Sequence, residues 1–116
     1  MTTVPIGRSR ATLLALLFGL SLCGQALGAD AAAAQALARR SNCFKCHAID
    51  KPKEAAPWKE VAAKNKGKPD AQDKLIKHIT TGPKVKLEDG SQEEHPIIKT
   101  KNADEIKNLV DWILTL

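Results

Sequence analysis

The 116-residue chain has no tyrosine, two phenylalanines, two tryptophans and one methionine, the initiator Met1. Cysteine occurs three times, as Cys23, Cys43 and Cys46. The length excludes a two-domain architecture with a nucleotide-binding half. So few aromatics leave little with which to fill a core. No alternating apolar–polar stretch and no internal repeat occurs, which argues against a sheet-based or repetitive fold. The longest apolar run, Ala11 to Cys23, is shorter than the roughly 20 residues of a membrane-spanning helix. It follows Arg8 and Arg10 and precedes the small residues Ala26, Gly28 and Ala29. That is the pattern of a secretory signal peptide, so residues 1–29 read as an export signal and 30–116 as the mature domain. Leu20-Ser21-Leu22-Cys23 faintly resembles a lipoprotein cleavage site, but Leu22 is too large for that processing. The expected product is soluble in the periplasm, with membrane attachment only if the signal stays uncleaved.

Taking residues 1–29 from 116 leaves 87. Basic residues fall from 18 to 16 while the acidic residues stay at 13, a net charge of about +3. Phe44, Trp58 and Trp112 are the remaining aromatics, Cys43 and Cys46 the remaining thiols, and no methionine is left. Apolar burial at ~25 cal/mol per Å² against ~1.5 kcal/mol of entropy per ordered residue comes out near zero for such a chain. It needs a staple. A disulfide between cysteines three apart closes too short a loop to serve. The export signal and the modest positive charge also argue against a nucleic-acid partner.

The spacing predicts an all-α fold of about four short helices and one long loop. An alanine-rich helix over 31–42 runs directly into Cys43. Residues 50–56 read as a loop, after which Pro57 sits where a first helical turn tolerates it and Gly67 closes the segment. Asp70 is expected to cap a third helix carrying Leu75, Ile76 and Ile79 on one face, stopped by Gly82-Pro83. Residues 84–101 show no sustained period and read as a long ordered loop, a length that is usually functional. Asn102 and Glu105 form a capping-box pattern ahead of Ile106, Leu109, Val110, Ile113 and Leu114, spaced as one helix face.

Cys43-Phe44-Lys45-Cys46-His47 is a Cys-x-x-Cys-His sequence, read as a site of covalent c-type haem attachment. Cysteines three apart on a helical turn point the same way, so both thiols reach the vinyl groups along one porphyrin edge. His47 then falls under the ring, where its imidazole can bind iron. The thioethers supply the staple, and one haem c adds the apolar surface that the chain lacks. Zinc would require two more ligands at suitable spacing, and His78 and His95 stand alone. A thioredoxin-like pair requires a βαβ context that is absent. A structural disulfide accounts for neither His47 nor the thin core.

With these residues, the chain from 30 to 116 resembles a short bacterial class I cytochrome c. The likeness rests on Asn42–Asp50 (NCFKCHAID), Trp58–Ala63 (WKEVAA), Lys74–Gly82 (KLIKHITTG) and Leu109–Leu114 (LVDWIL). It implies that the first and last helices cross beside the haem, with Trp112 at the crossing. It also implies that the loop before the last helix brings in the second axial ligand. Trp58 falls where the family often places an aromatic near a haem propionate, although core packing explains both tryptophans equally well.

Two departures from the family pattern matter. The usual second ligand is a methionine, commonly in Met-Pro, and here His95-Pro96 stands in that place. His47 and His95 are therefore the expected axial pair. His78 is the rival, but it lies off the apolar face of its helix and reads more simply as a surface or propionate-side histidine. The family's proline that accepts a hydrogen bond from the proximal histidine is replaced by Ala56, leaving either Ala56 or Pro57 to orient His47.

Two imidazoles favour ferric iron more than a His/Met pair does, so the expected potential is comparatively low. Filled axial positions argue for a carrier of single electrons between redox proteins, not an enzyme. A labile His95 would instead suit a small-ligand sensor or binder. An electron-accepting subunit of a periplasmic dehydrogenase is a third possibility, and the chain is expected as a monomer or such a subunit. The lysines could ring the exposed haem edge to dock an acidic partner, or simply solvate the surface.

Overall fold

The computed structural model describes residues 1–3 and 28–116. The export signal read over 1–29 thus lies almost wholly outside the described residues. From Ala31 onward the elements are α1 (Ala31–Arg40), α2 (Cys43–Cys46), α3 (Trp58–Asn65), α4 (Ala71–Thr81), β1 (Lys84–Lys86), β2 (Gln92–Glu94) and α5 (Ala103–Leu114).

The core forms where α1 and α5 pack together. Alanines make α1 a good helix former and a thin one. Its inward residues Ala34, Leu37 and Ala38 are fully buried, and they cluster with Ile106, Leu109, Trp112 and Ile113 of α5. Asp30 starts α1 by accepting a hydrogen bond from the Ala33 amide, and Arg39 and Arg40 complement the dipole at its other end. Asn108 ties the helix start to α5: it accepts from the Asp30 amide at 2.7 Å and donates to the Asp30 carbonyl at 2.9 Å.

Asn102 caps α5 by accepting from the amides of Asp104 and Glu105 at 2.9 and 3.3 Å. The expected return contact of Glu105 runs through Thr100. Its hydroxyl accepts from the Asn102 amide at 3.1 Å and donates to the Glu105 carboxylate at 2.7 Å. Trp112 is 6 % exposed and meets the Trp58 ring edge-on at 5.5 Å. Trp112→Ala is expected to lower unfolding free energy by about 3–5 kcal/mol, the usual range for emptying a buried tryptophan site. Denaturant melts of the haem-loaded protein check this.

Several boundaries differ from the sequence expectation. The first helix ends at Arg40 instead of reaching Asn42, because Asn42 adopts the left-handed conformation at φ 58°. Asparagine tolerates that region, and the turn re-aims the chain so that Cys43–Cys46 forms a separate helical turn. This raises the helix count to five among the described residues. Asp70 occupies the position before α4 but does not cap it; its carboxylate pairs with Lys74 at 2.7 Å instead.

The segment read as one long loop contains a short antiparallel hairpin. Lys84 lies opposite Glu94, Val85 opposite Glu93 and Lys86 opposite Gln92. The fold remains all-α around its core, since these three-residue strands pair only with each other. The hairpin closes with a hydrogen bond from the Leu87 amide to the Ser91 carbonyl and with Gly90 at φ 87°.

Candidate functional site

A cavity of about 920 Å³ opens between α2, the hairpin and α5. That is at the upper end of the ~300–1,000 Å³ range of small-molecule and cofactor pockets. Its apolar wall is made of core and core-flanking residues, among them Trp58, Ile79, Ile98, Leu109 and Ile113. Cys43, Cys46, His47 and His95 all line it, so the expected site residues come together in one place.

The helical turn of α2 presents Cys43 and Cys46 as free thiols to the same cavity. Burial pushes the Cys43 thiol above its ordinary range. Cys46 is raised as well, by desolvation and by the Glu54 carboxylate, which accepts its S–H at 3.2 Å. Both groups are therefore held as neutral thiols.

Residues 48–57 wrap around His47. The Ala55 amide donates to the Cys46 carbonyl at 3.0 Å, and the Trp58 amide to that of Ala48 at 2.9 Å. This brings the Ala56 carbonyl to 3.0 Å from His47 Nδ1. A carbonyl can only accept, so Nδ1 carries the proton and Nε2 keeps its lone pair. Of the two residues considered for this task, Ala56 performs it. Trp58 stacks against the His47 ring at 5.4 Å with 21° between planes, and meets Phe44 edge-on at 5.0 Å. Trp58 is thus a buried support for His47.

His95 follows β2 and faces His47 with ring centres 6.2 Å apart. Its Nδ1 donates to the Pro96 carbonyl at 2.9 Å, which again leaves Nε2 unprotonated. Burial lowers the pKa of His47, with the charge of His95 adding to the effect, and burial likewise lowers that of His95. Both imidazoles are thereby kept neutral, the form that binds a metal. His78 does not line the cavity; it packs edge-on against His95 at 4.5 Å between ring centres.

The sequence reading missed the hairpin's part in the site. Val85 and Leu87 line the cavity, and nothing in the charged run around them marks them as inward-facing. Ser41 was missed too: it is buried, and its hydroxyl accepts from the Lys99 amide at 3.0 Å, joining the end of α1 to the segment after His95. A uniformly basic rim is not what the fold builds. Lys45, Lys53 and Lys99 share the cavity lining with Glu54, Glu88, Asp89, Glu93 and Glu94.

A small helical domain with two thiols and an imidazole presented by one turn to a largely apolar cavity defines a protein built around a covalently attached haem. The chain belongs to the cytochrome c family, whose model matches residues 31–116. It is 35 % identical over 80 residues to cytochrome c-551 of Allochromatium vinosum, covering 69 % of this chain and 82 % of that one. It is 34 % identical over 96 residues to cytochrome c-551 of Stutzerimonas stutzeri, covering 80 % and 88 %. Among solved structures, class 1 cytochrome MtoD of Sideroxydans lithotrophicus ES-1 superposes with a TM-score of 0.73 at 53 % identity, over 76 % of this chain and 97 % of that one. Nitrosomonas europaea cytochrome c552 matches with a TM-score of 0.56 at 31 % identity, over 70 % and 96 %. Within the family these relatives mark the class I monohaem type, electron carriers that exchange electrons with redox partners and are not enzymes. The covalent haem c of that class attaches through the Cys-x-x-Cys-His motif, which stands here at Cys43, Cys46 and His47.

Proposed function

We propose that this chain is an exported, periplasmic carrier of single electrons whose haem iron is bound axially by His47 and His95. In this reading residues 1–29 are the export signal and 30–116 the mature domain. The observation that carries the ligation is the 6.2 Å between the two ring centres. Two imidazoles bonded trans to one metal, each about 2.0–2.1 Å from nitrogen to metal, have ring centres roughly 6 Å apart. Each ring also has Nδ1 engaged by a backbone carbonyl, which leaves Nε2 as the nitrogen free to bind a metal. Met1 is the only methionine, so no thioether competes for the distal position in the mature domain.

When bound, haem supplies a ferric–ferrous couple exchanging one electron. The protein's part is to keep both axial nitrogens in place so that nothing else enters, and to leave the edge near the half-exposed Cys46 open to a partner. Two imidazole ligands set the potential below that of a His/Met relative. The test is low-temperature electron paramagnetic resonance of the ferric holoprotein, with carbon monoxide added to the ferrous form. A low-spin bis-imidazole signal and slow carbon monoxide uptake are expected. A high-spin ferric signal, or uptake as fast as in an open five-coordinate haem protein, overturns the ligation.

A further inference from the structure

His95 directly follows the three-residue strand β2 and has little of its own to hold it. Among the described residues its only side-chain hydrogen bond runs to the neighbouring Pro96 carbonyl. What fixes the segment is the last turn of α4 together with the Gly82-Pro83 that follows it. The His95 amide donates to the Pro83 carbonyl at 2.9 Å, and the Ile98 amide donates to the Ile79 carbonyl at 2.9 Å. The segment is therefore held on both sides of Pro96, before it by Pro83 just past α4 and after it by α4 itself.

Two further contacts reach His95 itself. Gly82 ends α4 in the left-handed conformation at φ 62°, and a Cβ there would come 2.7 Å from the His95 carbonyl oxygen. Real side chains do not approach that closely, and the opposing atom is backbone, which cannot turn aside as a side chain could. His78, one turn earlier, sets its ring edge-on against His95 at 4.5 Å and 65°. It does so from outside the cavity, on a helix whose neighbouring Ile76 and Ile79 pack against the core.

Resting on the axial pairing above, we infer that His78 and Gly82 are positioning residues that hold His95 on the iron, so that the end of α4 decides whether the sixth position is closed. His78 limits rotation and withdrawal of the His95 ring, and Gly82 provides the room that the His95 carbonyl occupies. Removing an edge-on aromatic interaction from the bound state alone changes the rate of ligand release by roughly two- to tenfold.

The experiment compares wild type, His78→Ala, His78→Phe, Gly82→Ala, Gly82→Asn and His95→Ala as holoproteins. The readouts are ferric electron paramagnetic resonance and the rate of carbon monoxide uptake by the ferrous form. His78→Ala is expected to shift the low-spin g-values and speed uptake roughly two- to tenfold. His78→Phe, which keeps a ring edge, restores both. Gly82→Ala should show a high-spin fraction and faster uptake. Gly82→Asn separates two causes, because asparagine tolerates positive φ but still carries the offending Cβ. Behaviour like Gly82→Ala supports the inference, and behaviour like wild type assigns the effect to helix termination and overturns the role of Gly82.

Unchanged spectra and rates in His78→Ala overturn the role of His78. The His95→Ala arm keeps the two levels apart. If His95→Ala itself leaves uptake unchanged, the axial pairing has failed. If it opens the site while the α4 variants behave as wild type, only the positioning inference has failed.

Discussion

His95→Ala is expected to leave the ferrous holoprotein five-coordinate and to accelerate carbon monoxide uptake on the order of 10²–10³-fold, equivalent to about 3–4 kcal/mol of barrier. With His95 bound as proposed, an entering ligand waits for it to leave, and the variant removes that wait. The large effect follows from composition, since residues 30–116 contain no methionine to take over the position. His78 does not take it over either, because it flanks His95 from outside the cavity. His95→Met provides the complementary measurement. It is expected to restore six-coordination and raise the potential by on the order of 0.1–0.2 V, a fraction of the ~0.8 V over which axial ligands set haem potentials. Spectroelectrochemical titration of both variants checks the direction. A fall in potential for His95→Met would be incompatible with the proposed pair.

Replacing both Cys43 and Cys46 with alanine should have the largest effect on stability. Among the described residues the large side chains that are fully buried are Leu37, Leu109 and Val110, and the cavity wall is continuous with the buried core. Haem held in that cavity therefore completes the core. A covalent tether presents it at an effective concentration of about millimolar, some thousandfold above micromolar free haem and worth on the order of 4 kcal/mol. In a domain of this size each kcal/mol moves the melting temperature by about 4–8 °C, so a fall of roughly 15–30 °C is expected. Thermal melts followed by far-ultraviolet circular dichroism measure it. Acid–solvent extraction should remove haem from the variant and not from the unaltered protein. Equal melting temperatures would show that the polypeptide core is sufficient alone.

The parts of the site legible in the sequence are those whose chemistry is local. Cys43, Cys46 and His47 fall within a single turn, so their spacing specifies their arrangement. The long periodic face of α5 was readable for the same reason: Ile106, Leu109, Val110 and Ile113 are buried as their spacing requires. The hairpin was not readable, because its strands are three residues long and mostly exposed, with Val85 the one partly buried member. Pairing of Lys84 with Glu94 depends on how the chain reverses between them, not on any pattern within either strand. Asp70 misled for a different reason. An aspartate before a helix can cap it or pair with a lysine four residues on, and Lys74 was within reach.

By itself the sequence determined that the chain from 30 to 116 is helical, that it holds haem through Cys43 and Cys46, and that this stretch offers no methionine as a ligand. These follow from composition and from contacts inside one helical turn. Tertiary structure alone decided that Ala56 orients His47, that His95 faces it at 6.2 Å, and that His78 and Gly82 lie behind His95. Those relations join residues 9, 48, 17 and 13 positions apart, read directly from their numbers. They exist only once the 48–57 loop has closed around His47 and the end of α4 has packed beside the segment after the hairpin. Carbonyl directions and ring separations depend on how the chain returns, and no spacing along it encodes that return.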